Sequence, residues 1–266
     1  MGDVQRLYSV TSLIGAGSPK EQLIGWAGRV TAERAYDKHG TLQAFVADND
    51  RAGAVKWLSD ARWETSKSAA LRGTNVHTII ESYALGQTPE VAPELEPWHQ
   101  QITRFLDDHS PEFEAAESPV YNLELGYAGT MDMILRVGEA RCIVDAKTTD
   151  KTPDARSRPP YDEVALQLAA YSRCTQVGVD PAVMRTVQNR RYYEYDPALR
   201  YEPMPGLEGA FALIISPVDY LFVPVRIDEE VWRSFLAVRE VARWKLDISK
   251  RVFGPTVTVP RQEVAA

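Results

Sequence analysis

The run from Gly129 to Thr149 constrains the fold more than any other part of the chain. Two apolar stretches, Tyr127–Val137 and Cys142–Ala146, flank the turn-forming Val137-Gly138-Glu139-Ala140. The period changes from helical here, and the turn signal between the two makes the pair read as adjacent strands. Asp132 lies inside the first, between Met131 and Met133. Asp145 lies near the end of the second, between Val144 and Ala146. Aspartate is depleted from strand interiors, and such local conflicts mark functional positions. Lys147 is two residues beyond Asp145, and residues i and i+2 of a strand face the same side. Two carboxylates and an ammonium are therefore expected at one edge of a sheet.

A third strand is expected just before, at Ser118–Leu125. Two more are expected at Gly209–Ile215 and Tyr220–Ile227, joined by Ser216-Pro217-Val218-Asp219. Residues 182–188 read as a further short strand. The first ~110 residues carry mostly helical periodicity. Ser18-Pro19-Lys20-Glu21 reads as a capping box opening a helix to about Ala35. A second helix, capped by Asp48 or Asp50, should reach Ala61. A third spans Ser66–Leu85 and stops at Gly86, and a fourth spans Pro93–Asp108. Past the strands, Thr149–Pro160 is breaker-rich and reads as a loop. Tyr161–Val177 reads as a helix, 189–208 as a Tyr/Arg/Pro-rich excursion, and Asp228–Ser249 as a final helix. The expected class is α/β: a helical part over 1–110, whose 66–85 helix contributes to the site, a core of mixed sheet and helices over 111–250, and a tail over 251–266. Trp98, Trp232 and Trp244 are expected to pack between elements.

With 266 residues, 44% of them hydrophobic, the chain can bury a sizeable core. Its two cysteines, Cys142 and Cys174, are in no metal-ligand spacing, which excludes a zinc ribbon and a four-cysteine iron–sulfur site. That usage fits a reducing, cytoplasmic setting. No signal peptide and no apolar run near 18 residues is visible, so a soluble protein with no membrane partner is expected. The net charge of −7 argues against coating nucleic acid by bulk basicity but leaves room for a local basic groove.

Hard oxygen donors such as Asp132 and Asp145 suit Mg²⁺ or Mn²⁺, one or two per site, and such an ion polarises phosphoryl oxygens and acidifies water. Lys147 would orient that water or offset charge developing on phosphate. Ala146 points away, but its carbonyl can face the metal. His77 and Glu81 are four apart in the Ser66–Leu85 helix, hence on one face, and can add a ligand and a further acidic group. Gly73, costly in a helix, implies a close approach there. Gln167 and Tyr171 share a face of the following helix and can bond phosphate or a metal-bound water.

In chain order these are GxxxH on a helix, GxxD in a strand, DxK in the next strand and QxxxY on the next helix. That ordered set, over about residues 72–172, resembles the PD-(D/E)XK nuclease superfamily and specifically its RecB-type branch. Tyr8-Ser9-Val10-Thr11-Ser12-Leu13 is similar to the N-terminal segment of that branch. The resemblance implies an αβββαβ core. It also implies metal ligation by His77, Asp132, Asp145 and the Ala146 carbonyl, a catalytic Lys147, and Gln167 and Tyr171 lining the active site. Glu81 matches an acidic position of several members. Many relatives of the CRISPR-associated exonuclease type carry four cysteines around an iron–sulfur cluster. With two, this chain resembles the cluster-free branch that includes many bacteriophage recombination exonucleases.

DNA is the expected partner, and Arg72, Arg156, Arg158, Arg190 and Arg191 are the expected phosphate contacts. Arg185, Arg190, Arg191 and Arg200 alternate with Tyr192, Tyr193, Tyr195 and Tyr201, a pattern that can track single strands or fill a hairpin face. The early helices are placed to form an arch over a free end. The leading expectation is a metal-dependent exonuclease of recombination, repair or phage replication. A structure-specific or restriction-like endonuclease and a non-catalytic DNA-binding module are the rivals. An annealing protein, a helicase or a second copy of the chain are the partners such a role would use.

Overall fold

The computed structural model describes residues 3–154, 162–180, 182–183 and 191–256. The chain opens with β1 (Gln5–Ser9) and α1 (Val10–Gly17), then α2 (Glu21–Asp37), α3 (His39–Ala47), α4 (Arg51–Ala84) and α5 (Glu96–His109). The middle supplies β2 (Glu112–Asn122), β3 (Tyr127–Val137) and β4 (Ala140–Thr148), followed by α6 (Glu163–Ser172) and β5 (Gln176–Gly178). It closes with β6 (Tyr192–Tyr195), β7 (Tyr201–Pro203), β8 (Gly209–Ile215), β9 (Tyr220–Pro224) and α7 (Glu229–Leu246).

The strands form one mixed sheet in the order β7-β5-β2-β3-β4-β8-β9, with β1 against β3 and β6 against β1. Among the described residues β1–β3 and β4–β8 pair in parallel and the other pairs are antiparallel. The class is α/β, as the change of period implied. Helices cover both faces. One core gathers α1, α6 and α7 residues such as Leu13, Leu168 and Phe235 against Ile134 and Ile143. The other gathers Ile79 of α4 and Ile102 and Phe105 of α5 against Met133, Leu135 and Val144.

Several expected boundaries move, each for a physical reason. The helices foreseen at Asp50–Ala61 and Ser66–Leu85 are one, α4, of 34 residues. No glycine or proline interrupts 54–72, and Thr65 Oγ1 donates to the Ala61 carbonyl at 3.0 Å, so the polar junction is satisfied as helix. Asp50 is the N-cap, accepting from Gly53 N at 2.8 Å. Ser18 is no capping box: it ends α1, its N–H reaching the Ile14 carbonyl, and α2 starts from Lys20 without a side-chain cap. The opening strand and α1 were not foreseen. Ser9 caps α1 by accepting from Ser12 N at 3.1 Å. The helix expected to Val177 stops at Ser172, because 176–178 are drawn into pairing with β2 and β7. The strand expected at 182–188 is helical at 182–183, and the rest lies outside the described residues. Trp98 is buried, but Trp244 is 48% exposed rather than packed. No helix among the described residues is long and apolar enough to cross a membrane, and Cys142 and Cys174 are both free and buried.

Candidate functional site

Sheet register assembles the acidic groups. Met133 pairs with Val144, and continuing that antiparallel register by one step sets Asp132 opposite Asp145. On the other side of β3, Ala116 pairs with Met133 and Ser118 with Met131, so Glu117 is opposite Asp132. Three adjacent strands thus carry Glu117, Asp132 and Asp145 in one row. Like charges opposite one another destabilise a sheet unless cations sit among them. Two cationic side chains do so here, His77 from α4 and Lys147 from β4.

Asp132 Oδ2 accepts the Ala146 N–H at 2.7 Å, which fixes its rotamer. His77 Nε2 is 3.2 Å from the Ala146 carbonyl and 3.8 Å from Asp132 Oδ2. His77 Nδ1 donates to Glu117 Oε1 at 2.8 Å. Lys147 Nζ lies 2.7 Å from Asp145 Oδ1 and 2.6 Å from Oδ2, the second contact an ion pair without hydrogen-bond geometry. Asp145 itself is 1% exposed.

The electrostatics follow from crowding in a dry site. Burial and the neighbouring Asp132 push Asp145 up to about 6, against the pull of Lys147. Asp132 is raised by burial too, with His77 and Lys147 opposing. Burial works against a charged His77, yet the Glu117 hydrogen bond and the Asp132 carboxylate raise it to about 9. Both imidazole nitrogens therefore carry protons in the metal-free protein, consistent with one facing a carboxylate and the other a carbonyl. Lys147 is held above its ordinary value: burial opposes, but Asp145 and Asp132 outweigh it.

A divalent cation fits these residues. An octahedral Mg²⁺ takes oxygens at about 2.1 Å, which sets neighbouring ligand atoms about 3 Å apart. The His77 Nε2 separation from the Ala146 carbonyl, 3.2 Å, is of that size, while Asp132 Oδ2 lies further off at 3.8 Å. Ligand atoms of His77, Glu117 and Asp132 all lie within 4.8 Å of one another. Glu117 is the residue that sequence reasoning missed. Its isolated position in Ala-Ala-Glu-Ser-Pro carries no spacing signal; only the register with Asp132 exposes it. Glu81, expected at the metal, is not part of that group. One helical turn beyond His77, it lines a groove with Glu114, Glu117, Asp180 and Glu202. Asp145, engaged by Lys147, also falls outside the group of three but faces the same space through Asp132.

From α6, Gln167 Nε2 donates to the Tyr171 hydroxyl at 3.4 Å. Burial holds that phenol well above its usual range, with Tyr193, Asp132 and Asp145 adding to the effect, so Tyr171 stays protonated beside the carboxylates. The glycine of the GxxD motif explains how it gets there. A Cβ on Gly129 would stand 2.4 Å from Tyr171 Cε1, so the ring lies directly on the strand. By contrast, Gly73 meets no such neighbour: a Cβ there would be 3.6 Å from Thr148 Oγ1, an ordinary contact, so the expected close approach is absent. Tyr193 joins the edge of the site, its hydroxyl 2.8 Å from Thr130 Oγ1.

Among the expected phosphate contacts, Arg72 is engaged by protein groups. Its Nη2 is 2.7 Å from Asp150 Oδ2 and its guanidinium lies 5.2 Å over the Trp98 ring. Arg191 offers its carbonyl to Ser9 N at 2.9 Å. Arg156, Arg158, Arg185 and Arg190 lie outside the described residues. The tyrosine series divides between faces: Tyr193, Tyr195 and Tyr201 gather around Tyr121, whereas Tyr192 packs on Tyr8 with Arg6 3.8 Å above its ring. Neither a protein-family model nor a curated protein matches this chain.

Proposed function

We propose that this chain is a metal-dependent deoxyribonuclease with a PD-(D/E)XK-type core, working as an exonuclease in DNA recombination, repair or phage replication. The observation that carries the proposal is the convergence of Asp132, Asp145, Lys147, His77 and the Ala146 carbonyl on one small region, with Asp145 buried and Lys147 and His77 partly open to solvent. Such a set is expensive to bury without a function. Each carboxylate is desolvated, and unpaired buried charge is strongly destabilising.

Mg²⁺ or Mn²⁺ would be held by Asp132, Asp145, the Ala146 carbonyl and His77, the last after losing the proton from Nε2. When bound, the ion supplies Lewis-acid stabilisation of phosphoryl oxygens and lowers the pKa of water. Asp132 keeps its orientation through the Ala146 N–H. Lys147, which contacts both Asp145 oxygens, would offer its ammonium to the attacking water and the phosphate charge beside the carboxylates that hold the ion. Tyr171 and Gln167 supply neutral donors at the same edge, where a further carboxylate would repel the backbone. The reading needs no iron–sulfur cluster.

The test is cleavage of linear DNA by purified Asp145→Ala and Lys147→Ala proteins with Mg²⁺ or Mn²⁺ present. Both are expected to keep the wild-type fold, Lys147→Ala with lower stability because it leaves the buried Asp145 carboxylate unpaired, and both to lose cleavage by about 10²- to 10³-fold, as removal of a principal charge-stabilising group does. Full activity in either would refute the site assignment.

A further inference from the structure

We propose that Glu117 is a positioning residue that fixes the tautomer and orientation of His77, so that Nε2 and not Nδ1 is delivered to the metal. The inference rests on the reading that this site holds a divalent cation. It adds a residue that no motif supplied.

Three observations carry it. The backbone at Glu117 adopts φ +43°, a left-handed conformation that a side-chain-bearing residue adopts only at a cost. No glycine or asparagine, which would relieve that cost, stands there. The twist falls within a continuous antiparallel ladder, between the Ala116–Met133 and Ser118–Met131 pairs. Next, the strained residue sends its carboxylate to a single aromatic partner: Oε1 accepts from His77 Nδ1 at 2.8 Å. Both side chains are about three-quarters buried, His77 25% and Glu117 27% exposed, so the contact is largely shielded from competing water. Finally, the opposite ring nitrogen is the one aimed at the Ala146 carbonyl and Asp132. Once the ring is neutral, an imidazole whose Nδ1–H is tied to a carboxylate has its lone pair at Nε2. Carboxylate–histidine pairs of this kind orient metal-bound rings and make them more basic donors. His77 sits on a helix and Glu117 on a strand, so the bond also locks α4 to the sheet at the height of the metal.

A directly ligating Glu117 and an orienting Glu117 differ in what glutamine can replace. The amide oxygen of glutamine still accepts Nδ1–H but is a poor substitute for an anionic metal ligand. The experiment is calorimetric titration of Mn²⁺ into the full-length, metal-free wild type, Glu117→Gln and Glu117→Gly. Glycine occupies φ +43° without strain, so that variant keeps the strand, which thermal unfolding of the metal-free proteins checks. In parallel, ¹⁵N-histidine spectra of the Mg²⁺-loaded proteins report which nitrogen of His77 carries the proton.

The expected result is a loss of Mn²⁺ affinity of about 10- to 100-fold in Glu117→Gly with unchanged stoichiometry. Glu117→Gln should retain most of the affinity. The His77 spectrum should show protonated Nδ1 in wild type and Glu117→Gln, and mixed tautomers in Glu117→Gly. Wild-type affinity in Glu117→Gly overturns the proposal. So do equal losses in both variants, which would make the carboxylate a ligand. A wild type that binds no Mn²⁺ overturns this inference together with the metal-site reading on which it rests; the other two outcomes leave that reading standing.

Discussion

Gly129→Ala is a small change whose consequence can be worked from the geometry. Gly129 lies in the β3 ladder opposite Val120, with no positive φ, so the backbone itself accepts alanine. By backbone entropy alone the substitution would stabilise the chain by about 0.4–1 kcal/mol. The added methyl, however, would meet Tyr171 Cε1 at 2.4 Å, the hydroxyl at 2.8 Å and Cζ at 2.9 Å. A free side-chain end could swing away. This ring cannot: Tyr171 is 3% exposed, and its neighbours Leu168, Ala169 and Ala170 on α6 are fully buried. Overpacking of this kind costs about 1–3 kcal/mol, so the net effect is a destabilisation of about 1–2 kcal/mol. For a chain of this size that is a fall in Tm of about 2–8 °C. The strained ring also shifts its hydroxyl within the site, so cleavage should fall while Mn²⁺ affinity, which depends on other residues, stays near wild type. Circular dichroism melts, Mn²⁺ titration and a cleavage assay read the three quantities. In a Tyr171→Leu background, where the clashing atoms are gone, Gly129→Ala should cost much less, a coupling of at least about 0.5 kcal/mol. An alanine variant that melts and cleaves as wild type, or a cycle without coupling, would refute the packing argument.

Asn122→Ala removes a buried amide that donates to the Arg173 carbonyl at 2.8 Å and accepts from Leu125 N at 2.9 Å, so it strands two backbone groups. Urea denaturation should show a loss of about 2–3 kcal/mol at an unchanged m-value, and a loss under about 0.5 kcal/mol would contradict the account. The pH dependence of the metal-free protein has a definite sign. Asp145 is raised from 3.8 to about 6 and His77 from 6.5 to about 9. Through both groups the folded state binds more protons than the unfolded one, so their contribution to stability declines as pH rises from about 4 to about 9. Thermal melts without metal should reveal that decline, and Mg²⁺ should raise Tm more at pH 8 than at pH 5. A metal effect independent of pH would count against these groups as the ligands.

The central part of the site was legible because its chemistry conflicts with its setting. Asp132 and Asp145 stand in apolar strands, and period two alone places Lys147 beside Asp145. His77 could be placed because helical spacing and motif order agree. What was not legible depends on pairing between distant segments. Glu117 becomes a neighbour of Asp132 only through the β2–β3 register, and β1 joins the sheet only by lying parallel to β3. Glu81 shares a helix face with His77 but stands one turn further along, lining the groove beside Glu117 outside the group of His77, Glu117 and Asp132. The 34-residue α4 was divided because its polar middle resembles a loop by composition, whereas backbone hydrogen bonding is satisfied straight through it. Ser18 was misread because the same residue types serve N-caps and helix ends, and the preceding helix was invisible in a short apolar run.

The most direct test of the central claim is a digestion of linear duplexes labelled at either end, beside a covalently closed circle, with Mn²⁺ and with EDTA. The account predicts Mn²⁺-dependent release of label from the linear substrates, an intact circle, and no release by Lys147→Ala. Cutting of the circle would point to an endonuclease at the same centre. Failure of the folded, Mn²⁺-loaded wild type to cut any of these substrates would contradict the account.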